Sequence, residues 1–266
     1  ASLIADDRVQ GAALTGSERA GSAVAQQAGK YLKKTTLELG GNDVFVVLDD
    51  CDLDKAVKAG VGARLSNCGQ VCTAAKRFIV QEKVADAFIE KFTQAFREVK
   101  IGDPLDKSTT LGPLSSASAR DTLVKQVENA VAKGAKLHLG GKAVEGEGCF
   151  YEPTILSGIT RDNPAYFEEF FGPVAQIYVV KDDEEVVKLA NDSHYGLGGS
   201  VFTSNIERGK TLASRIETGM VYINSASDTA PELPFGGVKR SGYGRELSDL
   251  GIKEFVNQKL VVVSKG

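Results

Sequence analysis

The sequence predicts an α/β fold in which helices cover both faces of a sheet. Amphipathic helical patterns alternate along the chain with short extended runs, and those runs are mostly apolar on both sides, as buried strands are. At 266 residues, 42% hydrophobic and 25% charged, the chain has an ordinary globular composition with enough length for a sizeable core and one or two domains.

Val9 to Thr15 reads as a strand, and Gly16-Ser17-Glu18-Arg19-Ala20-Gly21 then opens a helix toward Lys30. Thr36 to Leu39 and Asp43 to Leu48 are extended, with Gly40-Gly41-Asn42 as the break between them. Asp52 caps a helix through Leu65. Val84, Phe88, Ile89, Phe92, Phe96 and Val99 recur at helical spacing from Glu82 to Lys100, giving one apolar stripe and one charged face. A second amphipathic helix, Ser116 to Lys133, stops at Gly134, and Lys136 to Leu139 is extended after it. Val174 to Val180 is a strand. Helices at Asp182 to Asn191 and Ile206 to Thr218 are each followed by an apolar strand, Gly199 to Phe202 and Met220 to Ile223. Phe255 to Ser264, with Val261-Val262-Val263, reads as an edge strand that needs a partner, because a free apolar edge invites aggregation.

A formal net charge of -3 argues against a broad nucleic-acid or anionic-membrane surface. The four cysteines, Cys51, Cys68, Cys72 and Cys149, have neither the spacing of a zinc site nor the density of a secreted disulfide scaffold. No metal is expected, and a reducing cytoplasm fits best. Cys68 and Cys72 read as two unlinked thiols, with an oxidised pair as the alternative. No apolar run approaches the roughly 20 residues of a membrane helix. His138 and His194 stand outside any nucleophile motif, which makes a Cys-His hydrolase a poor competitor.

Chemistry concentrates in Asn67-Cys68-Gly69-Gln70-Val71-Cys72-Thr73 and, upstream, Leu37-Glu38-Leu39-Gly40-Gly41. These place a thiol nucleophile and a carboxylate base in one chain. Lys76 and Arg77 follow Cys72, so a positive setting that favours the thiolate is expected there. Glu38, beside Leu37, Leu39 and two glycines, is expected at an exposed strand end with a raised pKa.

The two motifs resemble the cysteine and glutamate motifs of the NAD(P)-dependent aldehyde dehydrogenase superfamily. Further landmarks follow in the family's order: Thr15-Gly16-Ser17 with Gly21, Glu168-Glu169-Phe170-Phe171-Gly172-Pro173-Val174, Asn191-Asp192-Ser193 with Tyr195-Gly196-Leu197, Pro234-Phe235-Gly236-Gly237-Val238-Lys239, and Ser241-Gly242-Tyr243-Gly244-Arg245-Glu246. The resemblance implies a catalytic domain with a three-layer α/β/α sheet, plus the tail of a Rossmann-like cofactor domain. It divides the chain into the end of the NAD(P)-binding domain (1–40), the catalytic domain (41–236), and a return segment with an oligomerisation strand (237–266).

The same resemblance implies Cys72 as nucleophile and Glu38 as the base that activates water. Gly16, Ser17 and Gly21 would meet the pyrophosphate of NAD or NADP, Glu169 its nicotinamide ribose, and Phe171 its ring. Phe235 would wall the substrate tunnel, and Ser66 would face the substrate. The wider pattern is most similar to the bacterial succinate-semialdehyde dehydrogenases, in a homo-oligomer (dimer or tetramer) with a small-molecule aldehyde as substrate. Ser66 and Ala230 stand where the better known of those enzymes carry an arginine and a serine for the substrate carboxylate. Family members are close to twice this length, so the chain reads as a truncated C-terminal piece, inactive alone. A broad-specificity or CoA-acylating aldehyde dehydrogenase, and a non-catalytic binding or assembly module with this fold, remain alternatives.

Overall fold

The structure, a computed structural model, describes residues 1–265. Its strands are β1 (Gly11–Thr15), β2 (Lys34–Glu38), β3 (Val44–Val47), β4 (Arg77–Gln81), β5 (Lys136–Leu139), β6 (Thr154–Ser157), β7 (Val174–Val180), β8 (Tyr195–Gly196), β9 (Gly199–Phe202), β10 (Tyr222–Ile223), β11 (Val238–Lys239) and β12 (Gly242–Tyr243). The helices are α1 (Ser2–Ala5), α2 (Glu18–Lys30), α3 (Leu53–Leu65), α4 (Glu82–Arg97), α5 (Ala117–Ala132), α6 (Asp183–Asn191), α7 (Ile206–Ala213) and α8 (Ser248–Lys253).

The main sheet runs β10-β9-β3-β4-β7-β6-β5. Neighbours from β10 to β6 pair in parallel, and β5 closes one edge antiparallel to β6. Strict alternation along β3 assigns the two faces: Phe45 and Val47 enter one core, Val44 and Val46 the other. On the first face α3 and α4 pack over an aromatic layer. Phe88, Phe92 and Phe96 share one stripe of α4, and Phe92 lies 4.7 Å from Phe78 and 4.4 Å from Phe96 between ring centroids. Val186 and Ala190 of α6 and Leu212 of α7 cover the second face. These layers are the α/β/α arrangement expected.

Side-chain caps start the helices where the sequence places them: Ser17, Asp52, Ser116 and Asp182 each accept a backbone N–H from the first turn. Gly134, at φ +100, ends the segment after α5 in the left-handed region.

Several boundaries or elements differ from expectation. β1 starts at Gly11, α4 ends at Arg97, and α7 stops at Ala213, a turn short of Thr218. β6 was not expected; its four residues between Pro153 and Gly158 are too few to show a period. Phe255 to Ser264 is not a strand, and no described strand pairs with it, leaving Leu260 to Val263 exposed. A strand's backbone needs a ladder partner, so apolar β-branched residues alone do not make one.

A smaller sheet, β1-β2-β12, stands apart from the main one. β1 and β2 are parallel with Thr15 opposite Glu38, so both strands end at one place, and the β12 residue Gly242 lies opposite Glu38 from the other side. The chain leaves β2 through Leu39 to Asp43 straight into β3 of the main sheet. The carboxyl ends of parallel strands therefore face the junction between sheets, a usual position for a site in α/β proteins.

Replacing Phe92 with alanine is expected to lower unfolding free energy by about 3–5 kcal/mol, since it opens a cavity in the aromatic layer. Urea denaturation checks this: the midpoint should fall with the slope unchanged.

Candidate active site

At that junction lies a cavity of about 670 Å³. Its wall comes from three places: Thr15, Gly16 and Ser17 at the end of β1; Glu38, Leu39 and Gly40 at the end of β2; and Asn67 with Gln70 to Cys72 ahead of β4. Glu169 and Phe171 complete it. Cys72 and Glu38, more than thirty residues apart in sequence, thus share one cleft with the N-terminus of α2.

The loop carrying Cys72 begins with a left-handed turn. Asn67, Cys68 and Gly69 have φ of +49, +57 and +71 in succession, a run that costs roughly 1–2 kcal/mol for each residue bearing a Cβ. Gly69 is required as well by close approach, because a Cβ there would strike the Gly172 carbonyl. Asn67 and Gln70 brace the turn: Asn67 Nδ2 donates to the Gln70 carbonyl at 3.2 Å, and Gln70 Nε2 to the Asn67 carbonyl at 3.1 Å. Gln70 Oε1 accepts the Ser115 N–H at 2.7 Å, pinning the loop to the start of α5.

Two buried cations hold the same loop from below. Arg64 Nη2 donates to the Gly69 carbonyl at 2.6 Å, and Lys76 Nζ donates to the carbonyls of Val71 (3.0 Å) and Cys72 (2.6 Å). Lys76 also pairs with Glu169 at 3.2 Å. Burial pushes the Cys72 thiol up; the Lys76 charge opposes this without overcoming it. The expected thiolate-favouring setting is therefore corrected. Arg77 contributes nothing to it, since its guanidinium is buried and spent on the carbonyls of Asn42, Leu189 and Ala190.

Glu38 is only 2% exposed, so the strand end is closed rather than open. Neither carboxyl oxygen has a hydrogen-bond partner among the described residues. Burial first, and then the charge of Glu246, push its pKa up to about 8, with Arg245 opposing. Gly236 makes the room: a Cβ there would lie 2.9 Å from Glu38 Oε1.

The other candidates divide. Ser17 lines the cleft, but its Oγ caps α2 by accepting the Ala20 N–H at 3.3 Å. Gly16 lines it too, with its N–H given to the Glu38 carbonyl at 2.9 Å. Glu169 faces the cleft and accepts the Gly41 N–H at 3.1 Å, and Phe171 is half exposed beside it. Gly21 lies under the cleft wall: a Cβ there would meet Leu39 at 2.7 Å, so the residue serves helix-to-strand packing. Ser66 faces a separate depression with Val61, Leu65, Thr110 and Pro113. Phe235 is half-buried and outside the lining; its backbone exchanges hydrogen bonds with Glu246 at 2.8 and 2.7 Å. The last two are thus not brought to Cys72 by the described residues.

Sequence reasoning missed Arg64, Asn67 and the role of Lys76. A charged residue inside an apolar run, as Arg64 at the end of α3 and Lys76 after Ala74-Ala75, is the signal that could have shown the first and third.

The cleft suits a dinucleotide in two respects visible here. The N-terminus of α2 offers a positive dipole end to a phosphate, and Phe171 offers a flat apolar face. Among the described residues no helix is long and apolar enough to cross a membrane.

Known proteins share the fold and much of the sequence. The chain is 54% identical over 259 residues to a succinate-semialdehyde dehydrogenase [NADP(+)] of Deinococcus radiodurans, covering 97% of this chain and 54% of that one. It is 48% identical to the succinate semialdehyde dehydrogenase [NAD(P)+] Sad of Escherichia coli, covering 97% and 56%. A crystal structure of the Streptococcus pyogenes succinic semialdehyde dehydrogenase with NADP+ superposes with a TM-score of 0.97 at 54% identity, over 99% of this chain and 58% of that one. The chain spans about half the length of these relatives. The aldehyde dehydrogenase family model matches residues 1–261, and with the shared fold and ordered motifs this places the chain in the aldehyde dehydrogenase family.

Proposed function

We propose that these residues form the reacting half of an NAD(P)-dependent aldehyde dehydrogenase that oxidises succinate semialdehyde to succinate. The observation that carries the reading is the single cleft that brings Cys72, Glu38 and the N-terminus of α2 together from distant parts of the chain. The names of the relatives support the substrate. The smaller sheet with α2 is read as the end of the cofactor domain and the seven-stranded unit as the catalytic domain.

Cys72 is the nucleophile. Its thiolate adds to the aldehyde carbon, and the resulting oxyanion is met by the Cys72 backbone N–H, which makes no other hydrogen bond among the described residues. Residues at the end of β1 and the start of α2 would hold the cofactor's phosphates, with Glu169 and Phe171 on its ribose and ring. NAD or NADP, when bound, supplies the acceptor for the hydride leaving the substrate carbon. That step leaves the acyl group on Cys72 as a thioester. Glu38 then takes a proton from the water that attacks the thioester, releasing the acid and the free thiol. A carboxyl buried without partners is costly to keep, and such groups concentrate at functional sites.

The cleft wall holds no Arg or Lys. A substrate carboxylate would therefore meet only neutral donors on this wall, or a cation away from it. Comparing succinate semialdehyde with a neutral aldehyde of similar length, using NAD and NADP in turn, tests the proposal in a whole family member carrying these residues. Equal rates would remove the substrate assignment, and silence with all of them would remove the enzyme.

Cys72→Ala is expected to abolish turnover while cofactor binding persists. Glu38→Gln is expected to give one burst of reduced cofactor with an acyl group left on Cys72, seen by intact mass; steady turnover at the normal rate would remove Glu38 as the base. Because Glu38 works only when ionised and its pKa lies near 8, the deacylation rate should climb as pH rises through about 8.

The same shift has a cost for stability. The unfolded chain releases this proton near 4.5 and the folded chain holds it to about 8, so stability falls across that interval as pH rises. Glu38→Gln should melt several degrees above wild type at alkaline pH and converge with it at acid pH.

A further inference from the structure

Lys76 stands directly before β4, and its own backbone is fixed in the main sheet: its N–H donates to the Asp43 carbonyl at 3.0 Å, and its carbonyl accepts the Gln176 N–H at 2.9 Å. The side chain is fully buried. An ammonium has three protons to place, and three acceptors meet it: the Val71 carbonyl, the Cys72 carbonyl and the Glu169 carboxylate. Glu169 in turn accepts the Gly41 N–H, three residues after Glu38, and its second oxygen occupies the space a Cβ on Gly40 would need. One buried cation thus joins the loop of the thiol, the segment of the carboxyl base and the acidic residue on the cofactor side of the cleft.

We propose that Lys76 is a positioning residue that locks the Cys72 loop to Glu169 and supplies a fixed positive charge to the Cys72 thiolate. The inference rests on Cys72 as the nucleophile. The groups facing this pair are Asp43 from the start of β3, Arg64 from α3 and Glu169 from the loop before β7, with Glu38 across the cleft. With Lys76 itself, two cations stand against three acids, so the thiolate's stability is a balance in which each sign can be removed separately. Removing the lysine charge leaves Glu169 and Asp43 to repel the thiolate; removing the Glu169 charge leaves the ammonium less compensated. The two substitutions should therefore move the thiol in opposite directions. A lysine that only filled space and satisfied two carbonyls would not produce that pattern.

The measurement is the pH profile of Cys72 alkylation by iodoacetamide on the purified chain, assigned to Cys72 by tandem mass spectrometry, with circular dichroism to confirm folding. Lys76→Gln is expected to raise the midpoint by about one pH unit, Lys76→Arg to hold it near wild type, and Glu169→Gln to lower it. A folded Lys76→Gln with the wild-type profile, or an upward shift in Glu169→Gln, overturns the proposal. If Lys76→Gln fails to fold, the direction of the Glu169→Gln shift decides alone. Alkylation reads the thiol itself, so shifted profiles here alongside full turnover by Cys72→Ala in a whole family member would remove the nucleophile assignment and leave the charge coupling standing.

Discussion

Everything about the cleft depends on satisfying the buried ammonium of Lys76 without water. An unpaired charge in the interior is prohibitive, so the loop before β4 must deliver two carbonyls and the loop before β7 a carboxylate to the same point. The left-handed turn at Asn67 to Gly69 is the backbone's way of delivering them. It turns the chain sharply enough to aim Gly69 at Arg64 and, three residues later, Cys72 at Lys76. Strain in that turn and burial of two cations are thus one arrangement, and each is tolerated because the other is present.

A second constraint sits at the end of β2. Glu38 is closed off from groups that would hold its proton or remove it too readily. Parallel pairing with β1 and antiparallel pairing with β12 fix its backbone on both sides, and its buried carboxyl oxygens meet no partner among the described residues. The glycine at position 236 then gives the carboxyl a space that an alanine would fill. Burial and the neighbouring Glu246 keep it protonated at neutral pH, while Arg245 limits the shift. The thiol across the cleft is raised for the same primary reason, loss of hydration, so both reacting groups favour alkaline conditions.

The sheet architecture explains why these groups meet. β1 and β2 end together, and the chain passes from β2 into β3 with only a glycine-containing link. That link carries Gly40 past the Glu169 carboxylate and Gly41 past the Cys72 carbonyl, and a Cβ at either position would collide with that neighbour, while the Gly41 N–H donates to Glu169. Glycine pairs that look like loop punctuation in the sequence are close-approach sites in three dimensions.

Much of the fold was legible beforehand because it follows from local rules. Helix α4 announces itself through Phe88, Phe92 and Phe96 at one-turn spacing, and Ser17, Asp52, Ser116 and Asp182 are caps whose chemistry acts within four residues. Cys72 and Glu38 were legible as candidates because their motifs are short and contiguous, and the structure brings both to one cleft. What local reading could not supply was any balance between distant charges. Lys76 and Arg77 are neighbours in sequence with the same charge, yet one reaches the nucleophile loop and the other is absorbed by the carbonyls at the end of α6. Ser66 is six residues from Cys72, yet the turn between them sends it to another surface. Val261 to Val263 have strand-forming side chains, yet no described edge receives them. The sequence by itself determined most of the elements, their caps and which thiol and carboxyl are candidates for chemistry, because these depend on spacing along one chain. Only the tertiary structure decided which charges are buried together and which pockets are shared, because desolvation and Coulomb interaction depend on distance in space.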